Sequence, residues 1–256
     1  MQLLDIDESV IAELVVSILA ARHVAAFARA SSHCAELAKR ALEFDGPRGA
    51  EVALRLAEGR RVHELCHRWP VLVLPRLGSP PLVGIGSYAF SGCSSLTTIT
   101  LPAGLTTIGD GAFCGCSSLI TITLPAGLTT IGDHAFYGCR SLTSVNLPAG
   151  LATIGISAFS GCSSLTTITL PAGLITIGNG AFSGCSSLTT IILPAGLATI
   201  GDCTFYGCSS LTTITLPAGL TTIGDFAFGY CSSLTSVTLP AGLATIGDFT
   251  FWPRLG

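Results

Sequence analysis

The sequence predicts an α/β protein in which a solenoid of stacked parallel strands follows a small all-α region. A 23-residue pattern recurs seven times from Ile85 onward, and an eighth copy breaks off near the end of the chain. Each copy contains the alternation of apolar and β-branched residues that is typical of a strand. Residues before the repeats instead show apolar side chains at helical spacing. The density of charged residues falls at the same place, since residues 1–84 hold 10 of the 12 basic and 10 of the 15 acidic side chains.

The repeat itself predicts a strand followed by two tight corners. Residues 85–107 read IGSYAFSGCSSLTTITLPAGLTT, and later units begin at residues 108, 131, 154, 177, 200 and 223. Ile99 and Leu101 alternate with threonines, which indicates a strand, and Pro102 ends it because proline has no N–H to donate. Leu105 and Ile108 are expected to point inward from a second extended segment. One unit cannot bury its apolar residues alone, so neighbouring units must stack.

The third part of each unit supplies the last inward-facing side chains. In the second unit these are Ala112, Phe113 and Cys116, which we expect on a helical turn. Stacking would then produce columns of identical residues inside the solenoid, seven phenylalanines and seven cysteines among them.

A period of about 20–29 residues with repeated Leu-x-x-Leu-x-Leu character is typical of leucine-rich repeats. The longer pattern LxxIxLPxxLxxIGxxAFxxC resembles the BspA-like (Treponema-type) leucine-rich-repeat family over residues 85–251. This resemblance implies a leucine-rich-repeat solenoid with parallel strands and a non-enzymatic surface that binds another protein. Bacterial surface proteins are among the members of the family. Because such families share a scaffold rather than a ligand, the resemblance names no partner.

The solenoid, with seven full repeats and a partial one, is predicted to occupy residues 85–256. CHRWPVLVLP at residues 66–75 aligns without a gap with CSSLTTITLP at 93–102, so residues 66–84 are interpreted as a degenerate capping repeat. Residues 1–65 form the predicted helical region. At the other end, Phe249, Phe251 and Trp252 are expected to close the last open coil.

The N-terminal helices carry a second resemblance. The segment DESVIAELVVSILAARHVAAFARASSHCAELA resembles an F-box, which implies docking on a Skp-type adaptor through Val15, Ile18, Leu19 and Val24. The protein would then be the substrate receptor of a cullin–RING ubiquitin ligase. The sequence departs from the motif where Leu4 is followed by Asp5 rather than proline. Alternatively, the helices only shield the end of the solenoid.

Enzymatic chemistry has little support in the sequence. Residues 63–67 read HELCH and match the zinc-hydrolase motif HExxH, with His63 and His67 on one helix face and Glu64 as the base. Such a site needs a third ligand and a cleft, which the sequence does not supply clearly. The zinc hydrolase is therefore the weakest alternative, and we expect a protein that is not an enzyme and has no metal or cofactor.

Composition restricts the partners and the compartment. The net charge of −3 opposes nucleic-acid binding, which needs clustered Lys and Arg. No apolar stretch approaches the roughly 20 residues of a membrane span, so no membrane insertion is expected. The first residues lack the basic patch of a secretory signal, which predicts a cytoplasmic location with most cysteines as free thiols.

Partner-binding residues are predicted where the repeats differ from one another. Most differences follow the Ile-Gly corner of each unit and place aromatic side chains on one edge. The strand face is a nearly uniform array of hydroxyls, and it is interrupted at two positions. Neutral drift of duplicated units would explain the same differences. The predicted partner-binding residues are His134, Tyr137, Arg140, Tyr206 and Phe226 on the edge, with Asn146 and Ile192 on the strand face.

The function predicted from the sequence is that of a non-enzymatic protein–protein interaction scaffold, sharpened by the F-box resemblance to a ubiquitin-ligase receptor. The alternative is a surface adhesin or binding protein of the BspA-like type.

Overall fold

The structure is a computed structural model, and it describes the strand Val71–Val73 and residues 83–253. Fifteen short strands pair in parallel and form three sheets. Seven of them form one sheet in the order β1-β3-β5-β7-β9-β11-β13, and a second side of the solenoid carries the sheets β10-β8-β6-β4-β2 and β12-β14-β15. Their bounds are β1 Val71–Val73, β2 Gly84–Ile85, β3 Thr98–Thr100, β4 Thr107–Ile108, β5 Thr121–Thr123, β6 Thr130–Ile131, β7 Ser144–Asn146, β8 Thr153–Ile154, β9 Thr167–Thr169, β10 Thr176–Ile177, β11 Thr190–Ile192, β12 Thr199–Ile200, β13 Thr213–Thr215, β14 Thr222–Ile223 and β15 Thr245–Ile246.

The register of the strands equals the sequence repeat. Ile99 of β3 lies opposite Ile122 of β5, so one 23-residue unit makes one rung of the solenoid. In each three-residue strand from β3 to β13 the middle residue is buried while its neighbours face outward, as the alternation predicts. Leu72 of β1 lies opposite Ile99, which is the correspondence expected from the alignment of the two segments. The boundaries at residues 65 and 84 remain predictions.

A column of phenylalanine rings runs through the core. Neighbouring rings are parallel to within 9° with centroids 5.1–5.7 Å apart, and each ring is at most 2% exposed. Burying one such side chain stabilises the fold by roughly 1.5–3 kcal/mol. The predicted phenylalanine column is thus confirmed. Its members are Phe90, Phe113, Phe136, Phe159, Phe182, Phe205 and Phe228.

In each rung, the segment before the strand of the seven-stranded sheet is a series of turns and not the helical turn expected from the sequence. The backbone N–H groups alternate between two kinds of acceptor. Those of Phe113 and Gly115 donate to Ala135 and Tyr137 of the next rung, at 2.7 Å each. That of Cys116, in contrast, donates three residues back within its own rung. A helix would direct every N–H along its own axis, so inter-rung bonding excludes it.

The cysteine column is buried, and its thiols are hydrogen-bonded. The Sγ atom of Cys116 donates to the carbonyl oxygen of Phe90 at 3.1 Å, and each later member makes the same bond. Six members are free thiols. Cys93, the first, is disulfide-bonded, whereas the other described cysteines are free thiols, in agreement with the prediction that most of them are free. Burial raises the pKa of Cys116 and of Cys231 to about 12.

The glycine of the Ile-Gly corner is required by close approach of the preceding rung. A Cβ atom at Gly132 would lie 2.7 Å from the backbone nitrogen of Asp110. We therefore expect Gly132→Ala to destabilise the protein by about 1–3 kcal/mol, because backbone atoms cannot move aside. A Cβ at Gly196 would meet nothing within 4 Å, so Gly196→Ala is the matched control. Urea unfolding of both variants would test this, and equal midpoints would contradict it.

The stack is less regular towards its C-terminal end. Strands β10 and β12 lie in different sheets, and Gly201 does not donate to Ile177. The equivalent bond is present at Gly109, Gly132, Gly155, Gly178, Gly224 and Gly247. The longest ring spacing in the phenylalanine column, 5.7 Å, falls at the same step. We call this step the seam. In the last complete rung, Ser236–Thr238 is not paired as a strand, and β13 ends the first sheet among the described residues.

The expected C-terminal plug is formed only in part. Phe251 is half-buried and stacks on Phe228 at 5.4 Å, so it extends the core column. Phe249 and Trp252 lie on the edge of the solenoid instead and are 59% and 43% exposed. Leu239 of the last complete rung also remains exposed.

Candidate partner-binding edge

The third, fourth and seventh residues of each rung lie along one edge of the solenoid, which we call the turn edge. The fourth residue has a left-handed backbone in every described rung. This conformation directs its N–H to the next rung, as in the 2.7 Å bond from His134 to the carbonyl of Ile156. Non-glycine residues adopt it at a cost of roughly 1–2 kcal/mol. Glycine occupies the position at residues 111 and 180, and the others are Tyr88, His134, Ser157, Cys203, Phe226 and Phe249.

Acidic side chains at the third position link neighbouring rungs. The Oδ1 atom of Asp110 accepts the backbone N–H of Asp133 at 2.9 Å, and the Oδ1 of Asp133 accepts that of Ile156 at 2.7 Å. Asp202 and Asp225 repeat the arrangement in the later rungs. Aspartate at the third position therefore has a structural role where it occurs, which the residues at the fourth and seventh positions do not share.

The third rung carries an aromatic pair on this edge. The rings of His134 and Tyr137 meet edge to face, with centroids 5.8 Å apart. Both side chains are exposed, as is Arg140 three residues further along the chain. The next two rungs have serine or glycine at these positions, so the pair has no aromatic neighbour on that side.

A larger aromatic cluster occupies the edge at the last rungs, and we call it the C-terminal ledge. Tyr206 contacts Tyr230 at 5.2 Å and Phe226 at 6.4 Å between centroids. Phe226 stacks on Phe249 at 5.0 Å, and Tyr230 meets Trp252 at 4.8 Å. The outer three rings, Tyr230, Phe249 and Trp252, are 43–59% exposed.

The structure divides the residues predicted from the sequence into three places. His134 and Tyr137 meet on the third rung, whereas Tyr206 and Phe226 meet about three rungs away, at roughly 14 Å for a strand spacing of about 4.8 Å. Asn146 and Ile192 are exposed on the strand face, in one column with β9 between them.

Three ledge residues were not among the predicted site residues. Tyr230 stands where the six preceding units have glycine, with a φ of 57°, and this exchange was a visible signal in the sequence. Phe249 and Trp252 had been assigned to the plug. Their positions in the incomplete eighth unit match those of Phe226 and Gly229 and could have placed them on the edge.

The remaining predicted sites lie outside the described residues. These are Val15, Ile18, Leu19 and Val24 for the adaptor, and His63, Glu64 and His67 for zinc. Within residues 83–253, no group of three His, Cys, Asp or Glu side chains is arranged to hold a metal ion. The described part of the chain also contains no helix long and apolar enough to cross a membrane.

Identical rungs of parallel strands around columns of leucine, isoleucine and phenylalanine define a leucine-rich-repeat solenoid. Comparison with protein families identifies the type. The model for the BspA type leucine rich repeat region matches residues 83–197 and 153–253, and the chain belongs to this family.

Solved structures of bacterial leucine-rich-repeat proteins resemble the chain. A leucine rich repeat protein of T. pallidum is 38% identical with a TM-score of 0.62, over 64% of this chain and 78% of that one. A leucine-rich repeat protein from Bacteroides ovatus is 37% identical with a TM-score of 0.68, over 71% and 48%. A leucine rich cell surface protein from Faecalibacterium prausnitzii is 34% identical with a TM-score of 0.60, over 66% and 47%. The chain thus spans about half the length of the Bacteroides and Faecalibacterium proteins. A comparison with curated protein sequences found no match.

Proposed function

We propose that the protein is a non-enzymatic binding protein of the surface-adhesin type, which holds a protein partner on its turn edge. The observation that carries the proposal is the exposure of aromatic rings at positions with a left-handed backbone. Glycine or serine serves the fold at the same positions in other rungs. Stacking of the rungs therefore does not require aromatic side chains there. Exposed aromatics are effective anchors for a protein partner.

Two further facts favour the adhesin over the ligase receptor. The family and the similar solved structures are leucine-rich-repeat proteins, and one of those structures is described as a cell surface protein. The comparisons give no support to the F-box resemblance or to a Skp-type adaptor. The cytoplasmic location expected from the sequence competes with this proposal. Antibody labelling of intact cells before and after permeabilisation distinguishes the two, since labelling only after permeabilisation would refute the adhesin.

The ligase-receptor hypothesis has its own test. The full chain is co-expressed with a Skp-type adaptor and analysed by size-exclusion chromatography. Co-elution that is lost in an Ile18→Asp, Leu19→Asp variant would support the ligase-receptor hypothesis. Separate elution of the two proteins would leave the binding-protein hypothesis as the one supported.

The position of the binding surface can be tested with a phage-displayed peptide library selected on the immobilised full chain. We expect most selected clones to bind a His134→Gly, Phe226→Gly variant at least about tenfold more weakly, a typical loss for central anchors. Glycine is native to this position in two other rungs, so the variant keeps the fold. An Asn146→Thr, Ile192→Thr variant makes the strand face uniform and serves as the competing site. Loss of binding only in that second variant would show that the binding site lies on the strand face.

A further inference from the structure

The C-terminal ledge combines exposed aromatic rings with a column of carboxylates. Asp225 and Asp248 directly precede the ledge residues Phe226 and Phe249, Asp202 lies at the equivalent position of the rung that carries Tyr206, and all three aspartates are exposed. Each is one rung from the next, about 4.8 Å along the axis. The rings and the carboxylates therefore form adjacent columns on a single edge.

These carboxylates retain free acceptor capacity. Asp202 and Asp225 use Oδ1 to accept a backbone N–H of the next rung, at 2.9 and 2.7 Å. Oδ2 of Asp202 accepts a bond from Asn179 at 3.2 Å. Among the described residues, Oδ2 of Asp225 and both carboxylate oxygens of Asp248 accept no hydrogen bond.

The charge of this part of the chain is not balanced by its own cations. Residues 83–256 contain five aspartates and two arginines, Arg140 in the third rung and Arg254 two residues after Trp252. Three of the five aspartates flank the ledge. A partner side chain that binds there is therefore expected to be cationic.

We propose that the C-terminal ledge binds arginine side chains of a protein partner. A guanidinium group is planar, stacks on aromatic rings and donates two parallel hydrogen bonds to a carboxylate. Lysine provides the charge without the planar stacking group. The exposed ring of Phe249 and the carboxylate of Asp248, the residue directly before it in the chain, supply the two groups that a guanidinium requires. This inference names the partner chemistry of the turn edge and thus rests on the proposed function.

The test uses the full chain and a labelled peptide that carries three arginines, with fluorescence anisotropy as the readout. We expect saturable binding that weakens with salt, and binding at least about fivefold weaker for the lysine counterpart, the scale of a cation–π contribution. Phe249→Gly removes an exposed ring at a position where glycine fits the backbone, and Asp248→Asn removes a charge with little change of shape. Both should weaken binding of the arginine peptide severalfold, whereas Thr123→Ala on the strand face should not.

Equal affinity for the arginine and lysine peptides would overturn the inference, as would equal affinity of the Phe249→Gly variant and the unaltered chain. Such a result leaves the proposed function standing if library clones still depend on the turn edge. Conversely, clones that ignore the turn edge would refute the proposed function, whatever the arginine peptide does. Circular dichroism of each variant confirms that the fold is retained.

Discussion

Raising the pH above about 9 is expected to unfold the solenoid. The unfolded chain ionises its thiols near pH 8.5, but burial raises the pKa of the thiols of Cys116 and Cys231 to about 12 in the folded protein. Burial also raises the pKa of Cys139, Cys162, Cys185 and Cys208 well above the ordinary value.

The sign of the effect follows from proton linkage. Above pH 8.5 the unfolded chain has lost thiol protons that the folded chain still holds, so stability falls as the pH rises towards the folded pKa. At pH 10, Cys116 and Cys231 each contribute a loss of roughly 2 kcal/mol, and the four deeper thiols act in the same direction. The total is large against the 5–15 kcal/mol that typically holds a domain together.

Circular dichroism and thiolate absorbance, recorded together during a pH titration, test this prediction. The two signals should change together, and a return to pH 7 should restore the fold. Cys162→Ala removes one of the buried thiols and should therefore reduce the loss of stability at high pH. Cys114→Ala, at a half-buried position outside the column, should not reduce it. Thiolate absorbance larger than the four cysteines outside the column can produce, with unchanged dichroism, would refute the prediction, because the column would then ionise within the folded protein.

Phe159→Ala is expected to lower the free energy of unfolding by about 3–5 kcal/mol. The ring lies in the middle of the phenylalanine column, with neighbours at 5.2 Å and 5.6 Å. Stability in a solenoid is the sum of the rungs and their interfaces, and this ring contributes to two interfaces. The backbone on either side is fixed by inter-rung hydrogen bonds and cannot collapse into the cavity.

Phe249→Ala is the matched control, since it removes the same ring from the exposed edge and should cost less than about 1 kcal/mol. Urea unfolding followed by circular dichroism gives both values. Equal losses in the two variants would contradict the buried column, and a smaller loss for Phe159→Ala would reverse the assignment of core and edge.

Much of the solenoid could be predicted because its information is local and repeated. The inward positions of Ile99, Leu105, Phe113 and Cys116 follow from alternation and from the inability of one unit to bury itself. The prediction of a helical turn was wrong because it could not include hydrogen bonds to the next rung, which join residues far apart in the sequence. Nothing in the spacing of Phe113 and Cys116 distinguishes a helical turn from the alternating pattern that the stack imposes.

The candidate site could be predicted only in part. Departures from the repeat identified His134, Tyr137, Tyr206 and Phe226, and the structure places them on one edge. Their separation into two clusters depends on the small residues of the intervening rungs, which follow the repeat and so do not stand out in the sequence. The sequence predicted only part of the C-terminal ledge, because an apolar residue in a terminal unit, such as Trp252, is expected to close the core.

The seam between β10 and β12 gives the solenoid an unequal response to mechanical load. Tension along the axis is resisted on one side by continuous backbone pairing from β1 to β13, and on the other by pairing that is interrupted once. Under load the rod would therefore bend before it separates, with β9, β11 and β13 serving as the hinge. A protein that tethers one body to another would yield there reversibly while the phenylalanine column on either side stayed intact.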